Sequence, residues 1–556
     1  MFDRKNCEGQ CVMKILLIVY GGNAREGGDG REASKAVEEK FPGADVRLVD
    51  KKELKDLGKR DMIRFLRDEV RDLLVIYCED LKKENLILLK LIGLLTKARK
   101  RIVIDKKRQT LVVDPSKLLL VEFPLYIFLR GCVLVSIGLI NCILGVLNLP
   151  AQVKRSKEII VREGDGKLRI VYLRTNYEGL KPGGALSHVE GFAKGVMNLG
   201  SDISFISSSR IDALGGNNIP CYVIEPVSFL NKLCVEASQI CFNFKFVFHA
   251  YNILKMVKAD LLYHRSSTFN CSGTILSFLL RKPLVLEFNS SSLWKTEKNV
   301  KQRFKLTRFL MERLNLSWAD RIIVVSEVSK GQLEEKGIDV RKIVVNPNGA
   351  DPETFNPEVS KKNVREIYGL DNKLLVGFAG SLYQWHGLET LVGCVKNVTS
   401  KNGGVHFLII GDGLLRNKLE KMAKEERTSN FITFTGVVPK AEMPAYLNAC
   451  DVLVSPHRNM ADGQTFFGSP VKIFEYMAMG KPIVASKVGQ LEDLLQNGIN
   501  ALLVPPDDPE KLADAILRLA SDANLRDSLS KKARSDLVGK YTWTDNAKRV
   551  IECLRK

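Results

Sequence analysis

An α/β protein built from successive parallel-sheet domains is the fold class this sequence predicts. Short apolar strands alternate with helical patterns from Lys14 to Asp105, from Leu168 to about Leu370, and from Leu374 onward. Several strands of the last run end in glycine, at Gly380, Gly411 and Gly436. The 556 residues exceed what one hydrophobic core holds, so three or four domains are expected.

The first run, residues 14–115, reads as a small Rossmann-like α/β domain behind an N-terminal extension, 1–13. Met13 is read as a candidate initiator, and no cleavable signal peptide is recognised. Strands are expected at Lys14–Tyr20, Asp45–Val49, Leu73–Tyr77 and Arg101–Asp105, with a helix over Arg31–Lys40. The loop Gly21–Gly30 suggests a phosphate cradle, but its spacing is not that of the dinucleotide fingerprint, and a structural turn is the preferred reading.

Residues 117–150 form an apolar, membrane-associated segment. Gly131–Leu149 carries no charge and is about long enough to cross a bilayer. Basic residues stand on both sides, from Lys97 to Arg108 and from Lys154 to Lys157. Cytoplasmic loops attract Lys and Arg, so a hairpin turning at Arg130-Gly131 is preferred. A single crossing and a buried core helix are the alternatives.

The second run covers 168–355, with strands at Leu168–Leu173, Ile203–Ser207, Leu261–Tyr263, Leu284–Glu287, Ile322–Ser326 and Ile343–Asn346. Pro347–Pro357 reads as a linker. The third run, 371–530, has strands at Leu374–Ala379, His406–Ile410, Ile432–Thr435, Val452–Ser455 and Ile483–Ala485. The end of the chain, 531–556, carries an amphipathic helix over Trp543–Leu554. Two consecutive α/β domains place ligand in the cleft between them, at the carboxyl ends of their strands.

The composition, 45% apolar and 27% charged, is that of a globular protein. A net charge of +20 fits anionic lipid, phosphorylated small molecules or a basic solvated surface. Nucleic acid is not expected, because neither zinc-finger spacing nor an aromatic RNA-binding motif is present. The twelve cysteines are scattered and mostly lie in apolar runs, as buried residues of a reducing compartment would.

The chemistry concentrates in Gly468-Ser-Pro-Val-Lys-Ile-Phe-Glu-Tyr-Met-Ala-Met-Gly-Lys-Pro482. Ser469-Pro470 is expected to open a helix, with Ser469 as cap. The N–H groups of a helix start attract a diphosphate. Lys472 falls in the first turn, where a cation opposes the helix dipole unless an anion is present. Glu475 lies one turn further on, placed to take a ribose diol. The glycines at Gly380, Gly411, Gly413 and Gly436 imply that backbone approaches something closely there.

This stretch resembles the donor-binding signature of glycosyltransferase family 4, group 1, in the subgroup whose signature runs Ser-Pro-x-Lys-x-x-Glu-Tyr-Met-Ala. The resemblance covers roughly 168–556 and implies the GT-B fold, two Rossmann-like lobes facing a cleft. Gly183-Gly184-Ala-Leu-Ser-His188 resembles the glycine loop of the first lobe. Tyr263-His-Arg265 and Glu287-Phe-Asn289 resemble acceptor-side loops. Asn346-Pro-Asn348-Gly349-Ala-Asp351 resembles the hinge, and Trp543 onward the helix that crosses back.

The resemblance assigns Glu287, Asn289 and His188 to catalysis. The residues expected to hold the donor are Gly184, Arg265, Gly380, Ser381, His386, Gly411, Gly413, Gly436, Arg458, Gly468, Ser469, Pro470, Lys472 and Glu475. The sequence departs from the family pattern at three places. Phe467 stands where the first of two glutamates is usual, which leaves Asp462 or Gln464 to supply the sugar-hydroxyl contact. Ser381 and His386 stand near the usual Arg and Lys, leaving Lys472, Arg458 and His386 to restore phosphate charge. Asn289 replaces a frequent histidine and suits positioning rather than proton transfer.

The implied activity is retaining, metal-independent transfer from a nucleotide diphosphate sugar, which is a substrate and not a cofactor. The implied acceptor is a saccharide, lipid-linked by preference, in polysaccharide or glycolipid synthesis at the cytoplasmic face of an anionic membrane. A sugar-nucleotide epimerase and a non-catalytic scaffold are the competing readings.

Overall fold

The computed structural model describes residues 13–20, 28–50, 61, 64–66, 72–78, 90, 94, 96, 98–122, 124–125, 136–140, 143, 167–176, 183–212, 214, 218–226, 234–289, 304–358, 364–459, 463 and 465–554. The chain forms two compact units, one around the first sheet and one holding the second and third sheets.

The first sheet contains β1 (Lys14–Tyr20), β2 (Asp45–Asp50), β3 (Leu73–Cys78), β4 (Lys100–Asp105) and β5 (Thr110–Val112), in the order β2-β1-β3-β4-β5. The first four are parallel, and β5 turns back antiparallel on β4. A turn with Arg108 at φ 64° produces this unexpected strand, and the Gln109 N–H donates to the Asp105 carboxylate at 2.9 Å. Alternate residues of β1 and β3 feed two apolar clusters, one on each face. The expected cradle at Gly21–Gly30 falls largely outside the described residues. Its last three residues belong to the helix Gly28–Lys40, so the helix begins before Arg31.

The apolar segment 117–150 is described only in part, and its hairpin turn lies outside the described residues. Its start belongs to the first unit. Asp114 caps a short turn of helix at Pro115–Lys117, and Leu118 is buried in the adjoining core. Among the described residues, no helix is long and apolar enough to cross a membrane. Leu119, Leu125, Leu139 and Ile143 are exposed.

The second sheet is wholly parallel, with β6 (Arg169–Arg174), β7 (Asp202–Ser207), β8 (Cys221–Val223), β9 (Leu261–Arg265), β10 (Leu284–Glu287), β11 (Arg321–Val324) and β12 (Ile343–Val345), in the order β12-β11-β10-β9-β6-β7-β8. The third sheet is also parallel. It holds β13 (Leu374–Ala379), β14 (Val405–Ile410), β15 (Ile432–Gly436), β16 (Val452–Ser455), β17 (Ile483–Ser486) and β18 (Leu502–Val504), in the order β15-β14-β13-β16-β17-β18. Edge strands β8 and β18 have three residues each, too few to show a period. Ser326 lies beyond β11, where it caps the helix Glu327–Glu334.

Strand order reverses between β6 and β9 in one lobe and between β13 and β16 in the other. Such switch points open a crevice at the carboxyl ends of the strands. The lobes are tied by the hinge 346–350 and by the end of the chain. The expected crossover segment 531–556 contains a break. Residue 531 lies inside the helix Ala523–Lys540, and a capping box at Thr542 and Asp545 starts a new helix, Trp543–Glu552. Ala547, Val550 and Ile551 of this last helix enter the core of the first lobe. A Cβ on Gly191 would overlap the Trp543 indole, so glycine lets the helix seat there.

Candidate active site

The donor side is built on the end of β13 and the helix Val471–Ala478. Gly380 follows β13 with φ +142°, and a Cβ there would lie 2.7 Å from Lys472 Nζ. Lys472 is 9% exposed, with its amine 3.9 Å from the centroid of the Phe378 ring. Among the described residues Lys472 Nζ has no hydrogen-bond partner. Burial pulls its pKa down to about 7, against the pull of Glu475.

Glu475, partly open to solvent, makes no side-chain hydrogen bond or ion pair with any described residue. Loss of surrounding water pushes its pKa up to about 7, while Lys440 and Lys472 oppose the rise. The next signature residue has a structural task. The Tyr476 hydroxyl accepts the Ala379 N–H at 2.8 Å, fixing the helix under β13.

Ser469 is not the helix cap. Pro470 occupies that position, and no side chain caps the helix. The Ser469 hydroxyl instead accepts the backbone N–H of Asn348 at 3.0 Å. The helix start thus keeps N–H groups without a side-chain acceptor, the arrangement that suits an anion.

His386 does not restore phosphate charge as expected. Burial, then nearby Lys472, drives its pKa down to about 2, while the bond to Ser381 opposes this, so the ring is neutral. Its Nδ1 lies 2.5 Å from the Ser381 carbonyl, which fixes the donor nitrogen. His457, 5.0 Å away ring to ring, is held well below its ordinary value by burial, Lys472 and His386. Arg458 is also committed, with Nε 3.2 Å from Asp507. Lys472 therefore stands as the unpaired cation among the three nominated.

The remaining glycines answer to their neighbours in the chain. A Cβ on Gly411 would overlap the Gly380 carbonyl, and one on Gly413 would lie 2.7 Å from the Leu382 nitrogen. The Gly411 N–H donates to the Gly436 carbonyl at 2.9 Å. A Cβ on Gly468 would press on the Phe466 ring at 2.7 Å. The close backbone approach at Gly411 and Gly413 is made by the loop after β13.

Across the cleft, Glu287 ends β10 and is 1% exposed. It accepts from the Tyr172 hydroxyl at 2.8 Å and from Asn289 Nδ2 at 2.6 Å. Arg265 Nη1 lies 3.1 Å and His188 Nε2 3.2 Å from Glu287 Oε1. Burial alone would raise the Glu287 pKa, but Arg265, His188 and Asn289 together hold it far below the usual range. Arg265, nominated for the donor, is thus the counter-ion of Glu287. Tyr172 was not nominated; its only signal was a tyrosine inside an apolar strand.

The glycine loop stands against the donor lobe. Gly183 has φ 135°, and a Cβ on Gly184 would make ordinary contact with Val471 at 3.6 Å. Lys440, also missed, forms an ion pair with Glu190 across the cleft. The Phe467 carbonyl accepts the Ser326 hydroxyl at 2.7 Å, so the backbone at this departure joins the lobes. Asp462 and Gln464, expected in place of that glutamate, lie outside the described residues. Among those described, no metal-binding group of His, Cys, Asp and Glu occurs.

Two family models divide this architecture between them. Residues 182–354 match Glycosyltransferase Family 4, and residues 373–522 match Glycosyl transferases group 1. These two matches, one to each lobe, are what support a GT-B glycosyltransferase family. An uncharacterized glycosyltransferase of Methanocaldococcus jannaschii is 24% identical to this chain over 393 residues, 69% of this chain and 97% of that protein. The UDP-Gal:alpha-D-GlcNAc-diphosphoundecaprenol alpha-1,3-galactosyltransferase of Escherichia coli is 26% identical over 319 residues, 56% of this chain and 79% of its own. Crystal structures of Anabaena Alr3699/HepE with UDP and with UDP-glucose share the fold. Both have a TM-score of 0.56 and 21% identity, covering 70% of this chain and 100% and 99% of theirs.

Proposed function

We propose that this glycosyltransferase moves a sugar, with retention, from a nucleotide diphosphate sugar to a lipid-linked saccharide at the cytoplasmic face of a membrane. The observation that carries the donor half is Lys472: a buried amine with no hydrogen-bond partner among the described residues, beside Glu475, at the uncapped start of a helix. A diphosphate supplies the missing anion, and the Glu475 carboxylate takes the ribose hydroxyls. A UDP-sugar is the first candidate, because the E. coli relative uses UDP-Gal and Alr3699/HepE was crystallised with UDP-glucose.

Transfer without a metal asks the protein to stabilise the departing diphosphate. Lys472 and the helix N–H groups provide that charge. The acceptor hydroxyl then attacks the oxocarbenium-like sugar on the face the leaving group vacates and passes its proton to the departing diphosphate oxygen. Exposed Leu119, Leu125, Leu139 and Ile143 support membrane association of 117–150, and the net charge of +20 suits an anionic surface.

A thermal-shift panel of UDP, GDP and ADP sugars tests the donor, with UDP-glucose expected to raise the midpoint. Unchanged donor affinity in Lys472→Ala would overturn the phosphate role. Anomer analysis of the product by NMR tests retention. Vesicle flotation with and without 117–150 tests the membrane step, and equal binding rejects it. The burial of Glu287 favours one second reading, a lobe pair that binds donor without transferring it. A positive thermal shift with no turnover on any acceptor would select that reading.

A further inference from the structure

The hinge asparagine contacts both sides of the cleft. Asn348 is 8% exposed, and its Nδ2 donates to the Ser469 carbonyl at 2.6 Å. A carbonyl oxygen can only accept, so the amide end that faces it is the NH2, and this bond fixes which end of the amide is which. The other end, Oδ1, lies 2.7 Å from His188 Nδ1. The Asn348 backbone N–H donates to the Ser469 hydroxyl at 3.0 Å. One residue therefore uses three polar groups to hold the donor helix start and the N-lobe histidine.

The chain of contacts continues on both sides. His188 Nε2 faces Glu287, which gathers Tyr172, Arg265 and Asn289. Ser469 immediately precedes the helix that carries Lys472 and Glu475. The hinge is held in turn by the terminal helix. Asn546 Nδ2 donates to the Pro347 carbonyl at 2.6 Å, and Arg549 Nε donates to Asn346 Oδ1 at 2.7 Å. A Cβ on Gly349 would lie 2.6 Å from the Tyr541 carbonyl, so the next hinge residue has little room to move.

We infer that Asn348 is a positioning residue for sugar transfer: it is the joint that aligns the Glu287–His188 cluster of one lobe with the donor helix of the other. The inference rests on the transferase reading for its catalytic consequence, but the joint itself is measurable without turnover. His188 and Ser469 both bond to Asn348, so they communicate through it.

The test is a double-mutant cycle of His188→Ala and Ser469→Ala in the full chain, read by urea unfolding, repeated in an Asn348→Ala background. The expected coupling is at least fivefold in the unfolding equilibrium constant for the parent, and under twofold without Asn348. Asn348→Leu removes both side-chain hydrogen bonds, the one toward His188 included, at similar size. It serves as the second background should the alanine chain not fold, and its coupling should also fall.

With UDP-glucose as donor, Asn348→Ala is expected to lower kcat at least tenfold while the donor KM stays within threefold. Independence of His188 and Ser469 in the parent, or undiminished coupling without Asn348, overturns the joint. An unaltered kcat overturns its catalytic role. Should the parent neither bind UDP nor turn over, the transferase reading fails, and the unfolding cycle still decides the joint.

Discussion

The two sides of the cleft hold their charges differently. Glu287, in the first lobe, is buried among four polar partners, two of them in ion-pair contact. Lys472 and Glu475, in the second lobe, make no hydrogen bond or ion pair to described protein groups. A charge taken from water and fully paired within the chain holds structure together. A charge taken from water and left unpaired weakens the folded state and is kept for a ligand. Under the proposed function, this contrast gives Glu287 a positioning role and Lys472 and Glu475 a binding role.

Removing Glu287 should give the largest effect. Glu287→Ala leaves Arg265 and His188 buried beside an empty site and is expected to cost about 3–5 kcal/mol in urea unfolding. Glu287→Gln, which keeps the hydrogen bonds but not the charge, should cost less. A loss under 1 kcal/mol for the alanine variant would erase the contrast.

Substitutions on the other side should act in the opposite sense on stability. Lys472→Met is expected to weaken UDP binding by about tenfold or more, the scale of a lost charge-assisted contact. It should also raise the unfolding midpoint by about 2–4 °C, since a buried unpaired amine is removed. Calorimetry against UDP and a thermal scan read both. Glu475→Gln should likewise spare stability and weaken donor binding about tenfold.

The pH dependence sharpens the same point. The Lys472 pKa is depressed to about 7, so the free enzyme loses this cation as pH rises through 7. The Glu475 pKa is raised to about 7, so the carboxylate is lost as pH falls through 7. UDP affinity should therefore peak near neutrality and fall on both sides, by up to about tenfold per pH unit. The two limbs belong to the pair. Lys472→Met should abolish the alkaline limb and leave the acid one. The smallest effect is expected at Arg458. Its guanidinium is half exposed and paired with Asp507, so Arg458→Ala should change UDP affinity less than twofold.

Much of the fold was legible because parallel strands buried on both faces are short, apolar and evenly spaced. Thus β3 spells Leu-Leu-Val-Ile-Tyr-Cys, wholly buried. Strands β5, β8 and β18 escaped because three residues carry no period, whereas β12, equally short, stood out by its unbroken Ile-Val-Val run. The signature stretch was legible as a binding helix because it combines a proline, a first-turn lysine and a carboxylate at fixed spacing. Its serine was misread as a cap, since the hinge that claims its hydroxyl lies 121 residues away. His386 was misread as a cation because its burial depends on how the loops after β13 and β16 fold together.

The sequence by itself determined the α/β repeat, the two lobes and the stretch that holds Lys472 and Glu475, because these depend on local periodicity and local spacing. Only the tertiary structure decided which charges are paired. Arg265, His188, Tyr172 and Asn289 converge on Glu287 from different elements, and no spacing along the chain records that convergence. Burial and partnership are properties of the assembled cleft. They separate a carboxylate that holds the protein together from a carboxylate that is open to a substrate.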